Sequence, residues 1–127
     1  MATWCSSCLG ELPWLAELRA EASPARLGLV GLPVDSSDSA EQLAAWETAH
    51  DPAYVLRSDL TGARRAEVRE WLTAEVGTSA LPTSVVTDRA GRLLPIKAGM
   101  PTLSDLRRLL ARVEEDSRPV FPFPRPR

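Results

Sequence analysis

Two cysteines stand three residues apart near the start of the chain, in Trp4-Cys5-Ser6-Ser7-Cys8-Leu9-Gly10-Glu11-Leu12-Pro13, and no other cysteine follows. Apolar residues then recur at helical spacing through Leu12, Leu15 and Leu18. A helix that begins at Cys5 places Cys8 one turn on and on the same face. That separation suits a disulfide with little backbone movement. The unpaired N–H groups at such a helix start favour a thiolate at Cys5, and the thiolate is the attacking species in thiol–disulfide exchange. Cys8 is then the more buried, resolving thiol. Trp4 shields the pair and shapes the surface on which a partner docks.

A bare Cys-x-x-Cys has two other readings: half of a zinc site, or a structural disulfide. Zinc takes about four ligands, and beyond the pair the chain offers no cysteine and a single histidine, His50. A disulfide closing so small a loop restricts the unfolded chain little. The redox reading is favoured where such a pair sits near alternating α and β elements.

The rest of the chain supplies that alternation. Residues 5–22 read as one helix kinked at Pro13 and ended by Ser23-Pro24. Leu27 to Val34 reads as a buried strand of a parallel sheet. After the polar loop Asp35–Asp38, Ser39 and Gln42 form a capping-box pair for a helix to His50, with Leu43 and Trp46 facing the core. Ala53 to Arg57 reads as a brief extended segment. A helix follows over 61–76, with Val68, Trp71, Leu72 and Val76 on its core face and Arg64, Arg65, Arg69 and Glu70 on its solvated face. Gly77 suits its C-terminal cap. Thr83–Asp88 and Arg92–Lys97 read as a hairpin about Asp88-Arg89-Ala90-Gly91, with Pro95 marking an edge strand. Thr102 and Asp105 cap a last helix with Leu103, Leu106, Leu109, Leu110 and Val113 inside. His50 reads as a surface residue, and Trp14, Trp46 and Trp71 as packing residues.

Trp4-Cys5-x-x-Cys8-x-x-Glu11-x-Pro13 resembles the active-site motif of the thioredoxin superfamily, and within it the TlpA/ResA-like thiol–disulfide oxidoreductases. Ala80-Leu81-Pro82-Thr83 resembles that family's cis-proline loop, and Gly99 the glycine after its last strand. The likeness spans about residues 2–113. It implies an α/β, thioredoxin-like mixed sheet flanked by helices, here lacking the N-terminal central strand, because the motif begins at residue 4. The expected layout is an N-terminally truncated thioredoxin-like domain over 1–116 and a proline-rich, disordered tail over 117–127.

The resemblance further implies Cys5 and Cys8 as the catalytic pair, with Glu11 beneath them handling their protons. It implies a cis bond at Pro82, and Trp4, Leu81 and Pro82 as the substrate-binding surface, where the backbone of Leu81 pairs with a substrate strand. It implies protein disulfides or dithiols as partners, no metal or organic cofactor, and an extracytoplasmic bacterial setting. Ser6-Ser7 lacks the proline common between thioredoxin cysteines, which leaves the direction of electron flow open. A non-catalytic or partner-dependent fragment is the alternative. A peroxidase-like redoxin is weaker still, since its Pro-x-x-x-Thr-x-x-Cys context is absent.

Composition narrows the partners. At 127 residues there is enough chain for one domain with a modest core. A net charge of −2 does not suggest nucleic acid or a membrane surface as partner. No apolar run approaches the ~20 residues of a spanning helix.

Overall fold

The structure is a computed structural model that describes residues 1–94 and 102–116. The chain divides into two compact units, Met1–Ser84 and Val85–Arg127. Pro95, the strand end at Lys97, Gly99 and the tail 117–127 lie outside the described residues.

The first unit is of mixed α and β structure. Its elements are α1 (Ser6–Gly10), α2 (Leu12–Glu21), β1 (Val30–Gly31), α3 (Ala40–His50), β2 (Val55–Leu56) and α4 (Gly62–Val76). The helix expected over 5–22 is thus two helices broken at Glu11. The break falls just ahead of Pro13, which sits in the first turn of α2. A proline is tolerated there because first-turn N–H groups have no intrahelical partner.

β1 and β2 are parallel neighbours, with Val30 opposite Val55 and Gly31 opposite Leu56. This corrects the strand expected over Leu27–Val34: only two of its residues join a ladder. Leu27 and Leu29 are half-buried and Val30 is exposed, so the run is not a fully buried strand either. A ladder is only as long as its partner, and β2 offers two residues. Beyond β1 the backbone pairs again. The Met1 ammonium donates to the Leu32 carbonyl at 2.6 Å, and the Val34 N–H donates to the Met1 carbonyl at 3.0 Å. That is the hydrogen-bond pattern of parallel neighbours.

The helix caps follow the sequence. Ser39 Oγ accepts the Gln42 N–H while the Gln42 side chain accepts the Ser39 N–H, closing the capping box of α3. Thr61 Oγ1 caps α4 by accepting the Arg64 N–H, and Gly77 ends it in the left-handed region at φ 82°. The core of this unit is built on Leu43, Trp46 and Leu56, with Met1, Leu9, Leu12 and Tyr54 packed against it.

α4 presents a different face to the protein from the one expected. Leu72 is buried, but Trp71 and Val76 are exposed, and Arg65 is buried at 6 % exposure. Arg65 and Leu72 lie seven residues apart, two turns along one face. That face turns inward because backbone carbonyls of Asp35, Asp38 and Leu60 receive the guanidinium.

The second unit holds the hairpin turn and α5 (Leu103–Asp116). The ladder expected on both sides of the turn reduces, among the described residues, to one antiparallel bridge between Thr87 and Leu93. Asp88 organises the turn: its Oδ1 accepts the N–H groups of Ala90 and Arg92, and Gly91 adopts φ 82°. Thr102 and Asp105 cap α5 reciprocally, and Leu106 is its buried residue. No helix among the described residues is long and apolar enough to cross a membrane.

Candidate active site

Cys5 is the N-cap residue of α1, with extended backbone at φ −82°, ψ 99°. This is the ordinary N-cap conformation, in which a side chain reaches the N–H groups of the first turn. The Cys5 Sγ accepts the Cys8 N–H at 3.1 Å. Cys5 and Cys8 form a disulfide, with their Cα atoms 5.3 Å apart. Both are buried, at 4 % and 3 % exposure, so the expected difference in burial between them is negligible in the oxidised pair.

One apolar cluster surrounds the disulfide. It joins Ala2, Cys5 and Cys8, with Met1 and Leu81 packed against it. Leu81 therefore comes to the cysteines from 73 residues down the chain, and the Leu81–Pro82 bond is cis. Thr83 Oγ1 donates to the Ala80 carbonyl across this turn. Trp4, the residue before Cys5, is 63 % exposed, with its indole N–H donating to Asp35 Oδ2 at 2.6 Å. Thr3 is fixed twice to Asp38, by its N–H to Oδ2 at 2.9 Å and by its hydroxyl to Oδ1. The loop Asp35–Asp38, legible in sequence only as polar connection, thus grips both residues ahead of Cys5.

Glu11 lies at the break between α1 and α2 and is half-buried. Burial raises its pKa above the usual glutamate range, against the opposing pull of the Met1 ammonium. That ammonium is itself lowered by burial, with Glu11 and Asp38 pulling it back up. Burial and the charges of Glu11 and Glu47 push Tyr54 up to about 12. Glu11 is therefore a partly buried carboxyl at the C-terminal end of the cysteine helix. Asp35 shifts the other way: hydrogen bonds from Ser37, then from Trp4, hold its carboxyl below the usual range.

Glu11→Gln serves as a test of the proton-handling role that the resemblance implies for this residue. It should slow exchange at neutral pH while leaving the fold intact. The sign on stability is opposite. A carboxyl whose folded pKa is raised disfavours the folded state once pH rises through that value. The substitution removes that penalty, so the variant should be at least as stable as wild type at neutral pH. The difference should vanish below the unfolded glutamate pKa of about 4.3. Urea titrations at acidic and neutral pH, beside exchange rates, check both halves. An unchanged exchange rate removes Glu11 from the mechanism.

The structure brings Cys5, Cys8 and Leu81 into one cluster, leaves Trp4 exposed with its indole on Asp35, and sets Glu11 at the end of the cysteine helix. Asp35, Asp38 and Arg65 are additions that no sequence spacing announces. Comparison with protein-family models, with curated proteins and with solved structures found no match to this chain.

Proposed function

We propose that the chain is a thiol–disulfide oxidoreductase of thioredoxin-like type, acting on protein disulfides or dithiols. The observation that carries this reading is the Cys5–Cys8 disulfide at the start of α1, with Cys5 Sγ accepting the Cys8 N–H. In the reduced protein the same N–H faces the Cys5 thiolate and favours it over the thiol. The exposed indole of Trp4 and the packing of Leu81 on the pair support a docking surface beside the sulfurs.

In the reducing direction the Cys5 thiolate attacks one sulfur of a partner disulfide. The partner S–S bond breaks, a Cys5–partner mixed disulfide forms, and one partner thiolate leaves. Glu11, ionised, accepts the proton of Cys8. The Cys8 thiolate then attacks Cys5 Sγ, forming the Cys5–Cys8 bond and releasing the second partner thiolate. Two electrons have passed to the partner; Glu11 gives up its proton to one released thiolate, and solvent protonates the other. The reverse sequence oxidises a dithiol.

The test is a redox titration against glutathione buffers, read by the mass shift on thiol alkylation. Cys5 and Cys8 should titrate together as one two-electron couple, in which a tenfold change in equilibrium is about 30 mV. The midpoint gives the preferred direction. Thiols that titrate like those of an unstructured peptide overturn the reading. One observation favours the partner-dependent alternative: the opposed Val30 and Val55 are 57 % and 67 % exposed, leaving an apolar pair of the sheet facing water. On that alternative the couple appears only when a partner is added.

A further inference from the structure

Arg65 is a charged residue inside the protein, at 6 % exposure. Removing a guanidinium from water costs several kcal/mol unless its donors are satisfied. Here Nε donates to the Leu60 carbonyl at 3.0 Å, and Nη1 donates to the carbonyls of Asp35, at 3.0 Å, and Asp38. Two of these three acceptors are the ends of the Asp35–Asp38 loop. The start of α4 also lies close to that loop: a Cβ on Gly62 would meet the Ser36 carbonyl at 3.4 Å.

The same loop holds the residues ahead of the cysteines. Asp38, itself 5 % exposed, takes the Thr3 N–H and hydroxyl. Asp35 takes the Trp4 indole, and its carboxylate is braced by the N–H and hydroxyl of Ser37 at 2.8 and 2.6 Å. A chain of direct hydrogen bonds therefore runs from α4, through one guanidinium and one loop, to Thr3 and Trp4.

We propose that Arg65 is a positioning residue for the cysteine site: by fixing the Asp35–Asp38 loop it holds Trp4 as a rigid wall against which a protein disulfide docks. The inference rests on the exchange reading above. It follows from what the network holds and what it leaves alone. The guanidinium reaches no sulfur. It orders a side chain that is 63 % exposed and would otherwise rotate freely, and ordering a docking side chain in advance lowers the cost of binding. A small disulfide that reaches Cys5 without leaning on Trp4 gains nothing from this. The planar fork is also specific to arginine: a lysine ammonium is a point charge and cannot span three carbonyls in fixed directions.

The experiment compares wild type, Arg65→Met, Arg65→Lys, Trp4→Ala and Arg65→Met/Trp4→Ala. Each is assayed for reduction of insulin and of a small aromatic disulfide, and the Trp4 indole N–H resonance is followed by NMR. Arg65→Met should lower kcat/KM for insulin by about tenfold, mainly through KM, and that for the small disulfide by no more than about twofold. The Trp4 indole resonance should lose the shift of a carboxylate-bound N–H. Adding Arg65→Met to Trp4→Ala should cause no further loss, because the two changes remove the same wall. Equal losses on both substrates, or additive losses in the double variant, would show a merely structural role and overturn the proposal. If Arg65→Met does not fold, Arg65→Lys is judged by the same split, with a loss of about threefold on insulin. If wild type reduces neither disulfide, the exchange reading fails. An unmoved Trp4 resonance in the folded Arg65 variants then sinks the positioning claim by itself.

Discussion

Cys5→Ser should abolish exchange with a protein disulfide, and Cys8→Ser should stop it halfway. The loss at Cys5 should be roughly a thousandfold or more, because a serine hydroxyl offers almost no anion near neutral pH to attack sulfur. Cys8→Ser keeps the proposed nucleophile and removes the group proposed to resolve its adduct. That variant, mixed with an oxidised protein, should accumulate a Cys5–partner disulfide whose mass is the sum of the two chains. It should disappear on adding dithiothreitol. Stability should change far less than activity in both. The cysteines close a very small ring, and the chain-entropy model gives such a ring only about 2 kcal/mol. A variant that stays folded and yet exchanges nothing separates chemistry from scaffold. Exchange by Cys5→Ser at the wild-type rate, or no adduct on Cys8→Ser, would remove the pair from the reaction as assigned.

What the sequence makes legible and what it hides divide along a physical line. Interactions closed within one turn are readable. The cysteine at a helix start, the Ser39–Gln42 and Thr102–Asp105 boxes, the glycine ending α4 and the Asp88 turn all depend on residues two to four apart. The meeting of Leu81 with the cysteines is legible through the resemblance of its loop, not through spacing. Interactions that need a distant partner are not readable. Charge patterning puts every arginine of 62–76 on a wet face. Arg65 is turned inward by carbonyls 27 and 30 residues earlier in the chain. The loop that receives it carries only Asp and Ser, which sequence alone reads as solvated connection. Strand length escapes for the same reason: Leu27–Val34 has the composition of a buried strand, but the ladder it joins is set by a partner of two residues.

Gly31→Ala should destabilise the protein by about 1–3 kcal/mol, the usual cost of forcing a methyl into a packed site. Ordinary strand chemistry argues for the opposite sign, since replacing a strand glycine by alanine restores about 0.5–1 kcal/mol of backbone entropy. Packing decides. A Cβ on Gly31 would lie 3.0 Å from Tyr54 Cζ and closer still to Cε2 and Cδ2. The ring cannot yield freely: it stacks on Trp46, with centroids 6.3 Å apart and planes 13° from parallel, and Trp46 belongs to the buried cluster with Leu43 and Leu56. Gly31 also sits in β1 opposite Leu56, so the backbone cannot retreat without breaking the parallel pair. Gly28→Ala is the control, because no atom lies within 4 Å of the place its methyl would take, and the entropic gain should stand alone. Urea unfolding of both variants measures the contrast, and a cycle with Tyr54→Ala identifies its cause. With the ring gone, Gly31→Ala should become neutral or stabilising, a coupling of about 1–3 kcal/mol, as expected of residues in direct contact. Additive losses would place the cost in the backbone of β1 instead. The ring matters beyond stability: β1 leads directly into Leu32 and Val34, which pair with Met1, and then into the loop that grips Thr3 and Trp4. A methyl that pushes β1 off the Tyr54 ring therefore loosens the frame on which the cysteine pair is held.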